Sequence, residues 1–146
     1  MNKNENENEA LNHFLQTQLL EQDEYFGRMS DPTSASRIQG PCGDDMEFYL
    51  VIKDDVLEEV KYFTETGCFN TIIAGRSVAR RVIGKNIYEA LSVNPAIIIK
   101  EEKELATEGQ HCAILATTTF YRAVAFYLLD KSREDLSGRI SEIQWI

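Results

Sequence analysis

From Ala10 the apolar positions recur at helical intervals: Leu11, Leu15 and Leu19 fall four residues apart, with Phe14 beside them and Tyr25 and Phe26 beyond. That spacing predicts an amphipathic helix over residues 10–27, stopped near Gly27. Its apolar stripe faces the domain's own surface, or grips a second subunit in a homo-oligomer. Residues 29–37, with Asp-Pro, Ser and Thr, predict a loop. Ile38 and Gln39 can begin a strand, and Gly40 to Asp44 must turn. The rhythm then shifts to two. Phe48 to Ile52 is rich in β-formers, Lys53-Asp54-Asp55 is a polar turn, and Val60, Tyr62 and Thr64 then alternate with Glu59, Lys61 and Glu65. Two such runs joined by a short polar turn predict an antiparallel hairpin.

After Gly67 and Cys68 the helical rhythm returns. Ile72, Ile73, Val78, Val82 and Ile83 lie at near-helical spacing, with Gly84 as the stop. Asn86 to Leu91 predicts a short helix. Asn94-Pro95 reads as an N-cap followed by proline at the first helical position, opening a helix through Leu105. Ala106 to Gln110 is a polar loop. His111-Cys112 begins the last strong helix, with Leu115, Tyr121, Val124, Ala125 and Leu128 as its buried face. Beyond Lys131 only a weak stripe of Leu136, Ile140 and Ile143 remains, a C-terminal tail (132–146) that can be helical. Residues 1–9 alternate Asn and Glu and predict a disordered tail. Residues 10–131 then form one domain. Strands come early and helices late, which predicts an α+β fold with a small antiparallel β-sheet of about three strands and helices packed on it.

Composition changes this picture in two ways. No run of about 18 apolar residues occurs, so no transmembrane helix is expected. The N-terminal stretch MNKNENENE lacks a signal-peptide core, so a cytoplasmic location is expected. The formal net charge is −9, from 24 acidic and 15 basic residues. Such a chain repels phosphate backbones, and no basic stripe interleaves with aromatics. Neither nucleic acid nor membrane is an expected partner. Arg76, Arg80 and Arg81 form one basic patch, read as a solvated helix face or a dock for an acidic partner.

The three cysteines, 26 and 44 positions apart, sit at structural joints. Cys42 lies in a Gly-Pro-flanked turn, Cys68 at a strand-to-helix junction, and Cys112 at the start of the long helix. An odd number of thiols in a reducing compartment argues against a disulfide framework. Buried filler, a reactive thiol and metal ligation remain open. Free N–H groups at helix starts favour the thiolate, the form that binds metal. Asp44 and His111 stand beside Cys42 and Cys112. Three thiolates plus a carboxylate or imidazole suit a 2Fe–2S cluster or a tetrahedral zinc.

Gly-Pro-Cys-Gly-Asp (40–44), Thr-Gly-Cys (66–68) and His-Cys-Ala-Ile-Leu-Ala (111–116) resemble, in order, the signatures of the IscU/NifU-type iron–sulfur scaffold proteins. Gly27-Arg28-Met29, Asp31-Pro32, Gly84-Lys85 and Glu89-Ala90-Leu91 look like a NifU-like branch. The resemblance implies a SufE/NifU-like α+β domain with the cysteines gathered at one exposed end, and a scaffold or carrier rather than an enzyme. It implies sulfur received from a cysteine desulfurase, iron from an iron donor, and delivery of a labile cluster to apo iron–sulfur proteins. Cys42, Cys68 and Cys112 become the ligands, with Asp44 and His111 as candidates for the fourth position and Cys112 as persulfide acceptor. A carboxylate is a hard, poor ligand for cluster iron, which suits transfer.

The alternative is a zinc-binding, SufU-like sulfur-transfer protein. Proteins of that type carry an insertion between the second and third motifs and lack the histidine, whereas this chain has His111 and a short spacing. Where many relatives have glycine after the second cysteine, this chain has Phe69. Where classical bacterial members carry Leu-Pro-Pro-Val-Lys, recognised by a chaperone, it reads Leu105-Ala106-Thr107-Glu108-Gly109, so chaperone-driven release is not expected.

Overall fold

The computed structural model describes Leu11 and residues 23–142, the side chains of 135–142 excepted. Most of the helix expected over 10–27 lies outside these residues. Within them, Glu24 and Tyr25 form a turn and Phe26 a bridge to Tyr62, so the helix does not reach Gly27.

Three strands form an antiparallel meander in the order β1-β2-β3: β1 Ser34–Gln39, β2 Asp45–Lys53 and β3 Val56–Phe63. The β2–β3 turn is Asp54-Asp55, both at positive φ (52° and 61°). Two left-handed residues match the twist of a tight hairpin, and aspartate tolerates that conformation. Asp55 is also clamped by the Tyr127 hydroxyl at 2.7 Å and by Lys131 at 3.0 Å. β1 begins four residues before Ile38, within the segment predicted as loop. Its Ser34 and Ser36 hydroxyls donate to the carbonyls of Ala123 and Thr119 at 2.6 and 2.5 Å. Small hydroxyl side chains thus let a helix lie directly on the strand, a role that strand propensity does not reveal.

The helices are α1 Phe69–Val82, α2 Ile87–Ala90, α3 Pro95–Glu101 and α4 His111–Glu142, with a single 3₁₀ turn at Thr107–Gly109. Asn94 caps α3 through the Ile97 amide at 3.0 Å as expected, but α3 ends at Glu101 rather than Leu105. Gly84, at φ +78°, terminates the α1 segment. No break marks Lys131: α4 runs on into the predicted tail as far as Glu142.

α4 packs across β1 and β2, α1 across β3, and the two helices pack on each other. Met46, Phe48, Leu50, Leu57 and Tyr62 point from the sheet into that layer and are fully buried, as are Val78, Val82, Phe120 and Ala123 from the helices. Each large side chain removed from water contributes about 1.5–3 kcal/mol. Close approach requires small residues: a Cβ on Gly75 would come 2.5 Å from Tyr62 Cδ2, so only glycine lets α1 seat on that ring. By length and hydropathy alone the stretch Thr107–Glu134 could cross a membrane, but half of its most apolar window is buried within the protein. The first turns of α4 are apolar because they are core.

Candidate metal and sulfur site

The site lies where the β1–β2 turn meets the N-termini of α1 and α4. Gly40 to Asp44 closes by the Gly40 amide donating to the Asp44 carbonyl at 2.8 Å and the Gly43 amide to the Gly40 carbonyl at 3.0 Å. Gly43 takes φ +94°, which a side chain would strain. Cys68 is the N-cap residue of α1. Cys112 is the second residue of α4, fully buried beside the exposed His111.

Two residues missed by sequence reasoning hold these loops. Asp45, 1% exposed, uses one oxygen, Oδ1, to accept from the Thr64 hydroxyl (3.0 Å), the Glu65 amide (3.0 Å), the Thr66 amide (3.1 Å) and the Thr66 hydroxyl (2.9 Å). These bonds fix the turn that delivers Cys68. Burial pushes the Asp45 carboxyl up, but bonds from Thr66, Thr64 and Glu65 outweigh it and hold the group below its usual range. Asn70 is the second. Its Oδ1 accepts the Ala106 amide at 3.1 Å, and its side chain fills the space over Gly109, where a Cβ would lie 2.2 Å from Asn70 Cγ. The α1 N-terminus is thereby locked to the turn preceding Cys112. Neither contact has a sequence signal, since each joins residues far apart in the chain.

Among the described residues, Asp44, Cys68 and Cys112 come together, their ligand atoms all within 4.8 Å of one another. Cys42 and His111 do not join that group. Cys42 is exposed on its turn, and His111 Nε2 lies 3.7 Å from Cys112 Sγ. Cys42 and His111 instead line an apolar groove of about 300 Å³ together with Ile38, Pro41, Ile114 and Leu115. At the centre of the three-donor group stands Thr71, also missed. Its hydroxyl donates to Asp44 Oδ2 at 2.8 Å and lies 3.6 and 3.5 Å from the sulfurs of Cys68 and Cys112. A threonine three residues after a cysteine at a helix start is the one available signal, because that spacing puts both side chains over the same turn.

The two sulfurs are electrostatically unequal. Cys68 is pulled down to about 5, chiefly by the neighbouring Cys112 thiol, with burial opposing and the Thr71 amide and hydroxyl and the Asn70 amide assisting. None of the amides forms a full capping bond to the sulfur, so they act as oriented dipoles, unopposed by any acid in the first turn of α1. Cys112 is pushed up by the Cys68 thiolate first, then by burial, with the Asp44 charge adding. The pair therefore holds one thiolate, at the exposed Cys68, and one thiol, at Cys112.

Two of the three arginines of the basic patch are paired on the helix surface. Arg80 and Arg81 pair with Glu102 at 2.9 and 3.5 Å, and Arg81 also with Glu101 at 3.4 Å.

A three-stranded meander backed by helices, with two sulfurs and a carboxylate converging at a loop-built end, defines a small α+β domain whose converging donors are of the types that thiophilic metals take. Comparison with known proteins sharpens this. The family model for the NifU-like N terminal domain matches residues 16–134, and the chain belongs to that family. It is 28% identical over 110 residues, covering 75% of this chain and 71% of the relative, to the iron–sulfur cluster assembly scaffold protein IscU 1 of Archaeoglobus fulgidus. It is 34% identical over 86 residues, covering 59% of this chain and 66% of the relative, to the iron–sulfur cluster assembly scaffold protein IscU of Escherichia coli K12. Two crystal structures share the fold. The N-terminal part of a nitrogen-fixing NifU-like protein from Brucella abortus has a TM-score of 0.56 at 16% identity, covering 74% of this chain and 88% of that one. A candidate SUF-system scaffold from Fervidobacterium islandicum has a TM-score of 0.57 at 15% identity, covering 73% and 91%.

Proposed function

We propose that this protein is a scaffold on which a labile iron–sulfur cluster, of the 2Fe–2S type, is assembled and from which it is passed to apo-proteins. One observation carries the reading: two cysteine sulfurs and one carboxylate oxygen, drawn from distant parts of the chain, lie within 4.8 Å of one another. Membership of the NifU-like family and the scaffold names of its relatives support it. Cys42 and Cys68 are the exposed thiols open to sulfur delivered by a cysteine desulfurase. Cys112, expected from sequence as the persulfide acceptor, is buried, so sulfur reaches it only after an opening of the site. Cys42 stands outside the group and would complete the thiolate set only by a movement of its exposed glycine-flanked turn, which also carries Asp44. A carboxylate among thiolates weakens the hold on iron, which is what a carrier needs.

Anaerobic reconstitution with ferrous iron, cysteine, a desulfurase and a thiol reductant to convert sulfane sulfur to sulfide, followed by absorption and Mössbauer spectra, tests this. The expected product is a 2Fe–2S signal that decays on adding an apo-acceptor. Asp44→Ala should lengthen cluster lifetime and slow transfer; an unchanged or shorter lifetime counts against the assignment. The same donors also suit tetrahedral zinc. A protein that keeps zinc under these conditions and yields no cluster would favour sulfur transfer over scaffolding.

A further inference from the structure

Thr71 is fully buried in the first turn of α1, and its hydroxyl touches every member of the donor group. A hydroxyl has one proton and two lone pairs. The proton goes to Asp44 Oδ2, the shortest of the three contacts and the charge-assisted one. This is the only hydrogen bond to the Asp44 carboxylate among the described residues. The backbone of the turn is closed by the Gly40 and Gly43 amides, which fix the main chain and leave the direction of the Asp44 side chain to Thr71. Thr71 itself is held firmly. Its methyl packs against Gly67, where an added Cβ would come within 2.8 Å of Cγ2, and a β-branched side chain in a helix has few rotamers to choose from. His111, the other candidate for the oxygen-or-nitrogen position, makes no described contact with Thr71 and is exposed.

We propose that Thr71 is the positioning residue that holds Asp44 as the oxygen donor of the site and thereby selects Asp44 over His111. This rests on the scaffold reading, because it presupposes that Cys68 and Cys112 bind metal. Thr71 supplies no ligand. It aims one.

Cobalt(II) titration of the apo-protein separates the two ideas. Thiolate-to-cobalt charge-transfer bands report the cysteines, and d–d bands report the whole ligand field. Thr71→Val should weaken Co²⁺ binding about 10- to 100-fold, the usual cost of losing a group that orients a ligand. Its d–d spectrum should match that of Asp44→Ala while the charge-transfer bands persist. Thr71→Ser, which keeps the hydroxyl, should restore both affinity and spectrum, which a purely structural role for the methyl would not predict. Thr71→Ala serves the same comparison if valine crowds Gly67. Wild-type affinity and spectrum in the hydroxyl-less variants would overturn the proposal, as would His111→Ala, rather than Asp44→Ala, reproducing their spectrum. If the wild-type protein shows no charge-transfer bands at all, the donor-set reading falls and this one falls with it.

Discussion

Asp45→Asn is the sharpest probe of how the fold builds the site. Asparagine keeps the shape and a carbonyl oxygen to receive the four donors that converge on Oδ1, but removes the charge that strengthens them. A hydrogen bond to a charged group contributes about 1.5–3 kcal/mol and a neutral one about 0.5–1.5, so each bond weakens by about 1 kcal/mol. The four share one atom and do not add in full, which sets the expected loss at about 2–3 kcal/mol. Arg37, at 3.6 Å from Oδ2 but half exposed, adds little. Urea denaturation by circular dichroism at neutral pH measures this directly. The sign with pH follows from the depressed carboxyl of Asp45. Its contribution is complete above the unfolded value of about 3.9 and is lost as pH falls through the lower folded value. Wild type and variant should therefore converge in stability in strong acid. A deficit under about 0.5 kcal/mol at neutral pH, or one that persists unchanged in acid, would refute the argument.

Two other outcomes follow from the geometry. Gly109→Lys, which places the lysine of classical relatives two positions before His111, should destabilise the fold by about 1–3 kcal/mol, since its Cβ meets Asn70 at 2.2 Å; thermal melting checks it, and an unshifted midpoint would contradict the clasp. Iodoacetamide followed by peptide mass mapping should modify Cys68 well before Cys112, at a rate that levels off above about pH 6 because Cys68 is already thiolate; faster labelling of Cys112 would reverse the assignment of charge.

The hairpin was legible because Val60, Tyr62 and Thr64 alternate with charged residues. The run of β-formers places the start of this strand at Phe48, whereas β2 begins at Asp45, because Asp45 and Glu47 are buried polar residues that break the apolar rhythm. Asp45 is satisfied by the Thr64–Thr66 turn. Glu47 is satisfied by Arg28 at 3.0 Å and the Tyr49 hydroxyl at 2.6 Å. Both sets of partners are tertiary, so a local pattern cannot see them. β1 was hidden for the same reason, its serines being bonded to α4. In the site, the joints carrying Cys68 and Cys112 were visible as glycine-flanked or helix-opening positions. Their convergence with Asp44 was implied by resemblance and could not come from spacing, because it depends on Asn70 beneath Gly109 and on Thr71 between the sulfurs. The same limit explains Cys42. Its motif is intact, yet its sulfur stands outside the three-donor group.

Charge explains why the gathering is possible in so acidic a chain. Two thiolates and a carboxylate within 4.8 Å would repel strongly, and the protein already carries a net −9. The fold offsets this by placing Cys68 and Cys112 at the starts of two helices with no acid in either first turn, where backbone dipoles favour negative charge. It also keeps one proton on Cys112 and gives Asp44 the Thr71 hydroxyl proton. On the proposed scaffold reading, a cation held by Asp44, Cys68 and Cys112 would supply positive charge among the donors and so remove the need for the Cys112 proton. Metal uptake should therefore release a proton from Cys112, while Cys68, already ionised at neutral pH, contributes none.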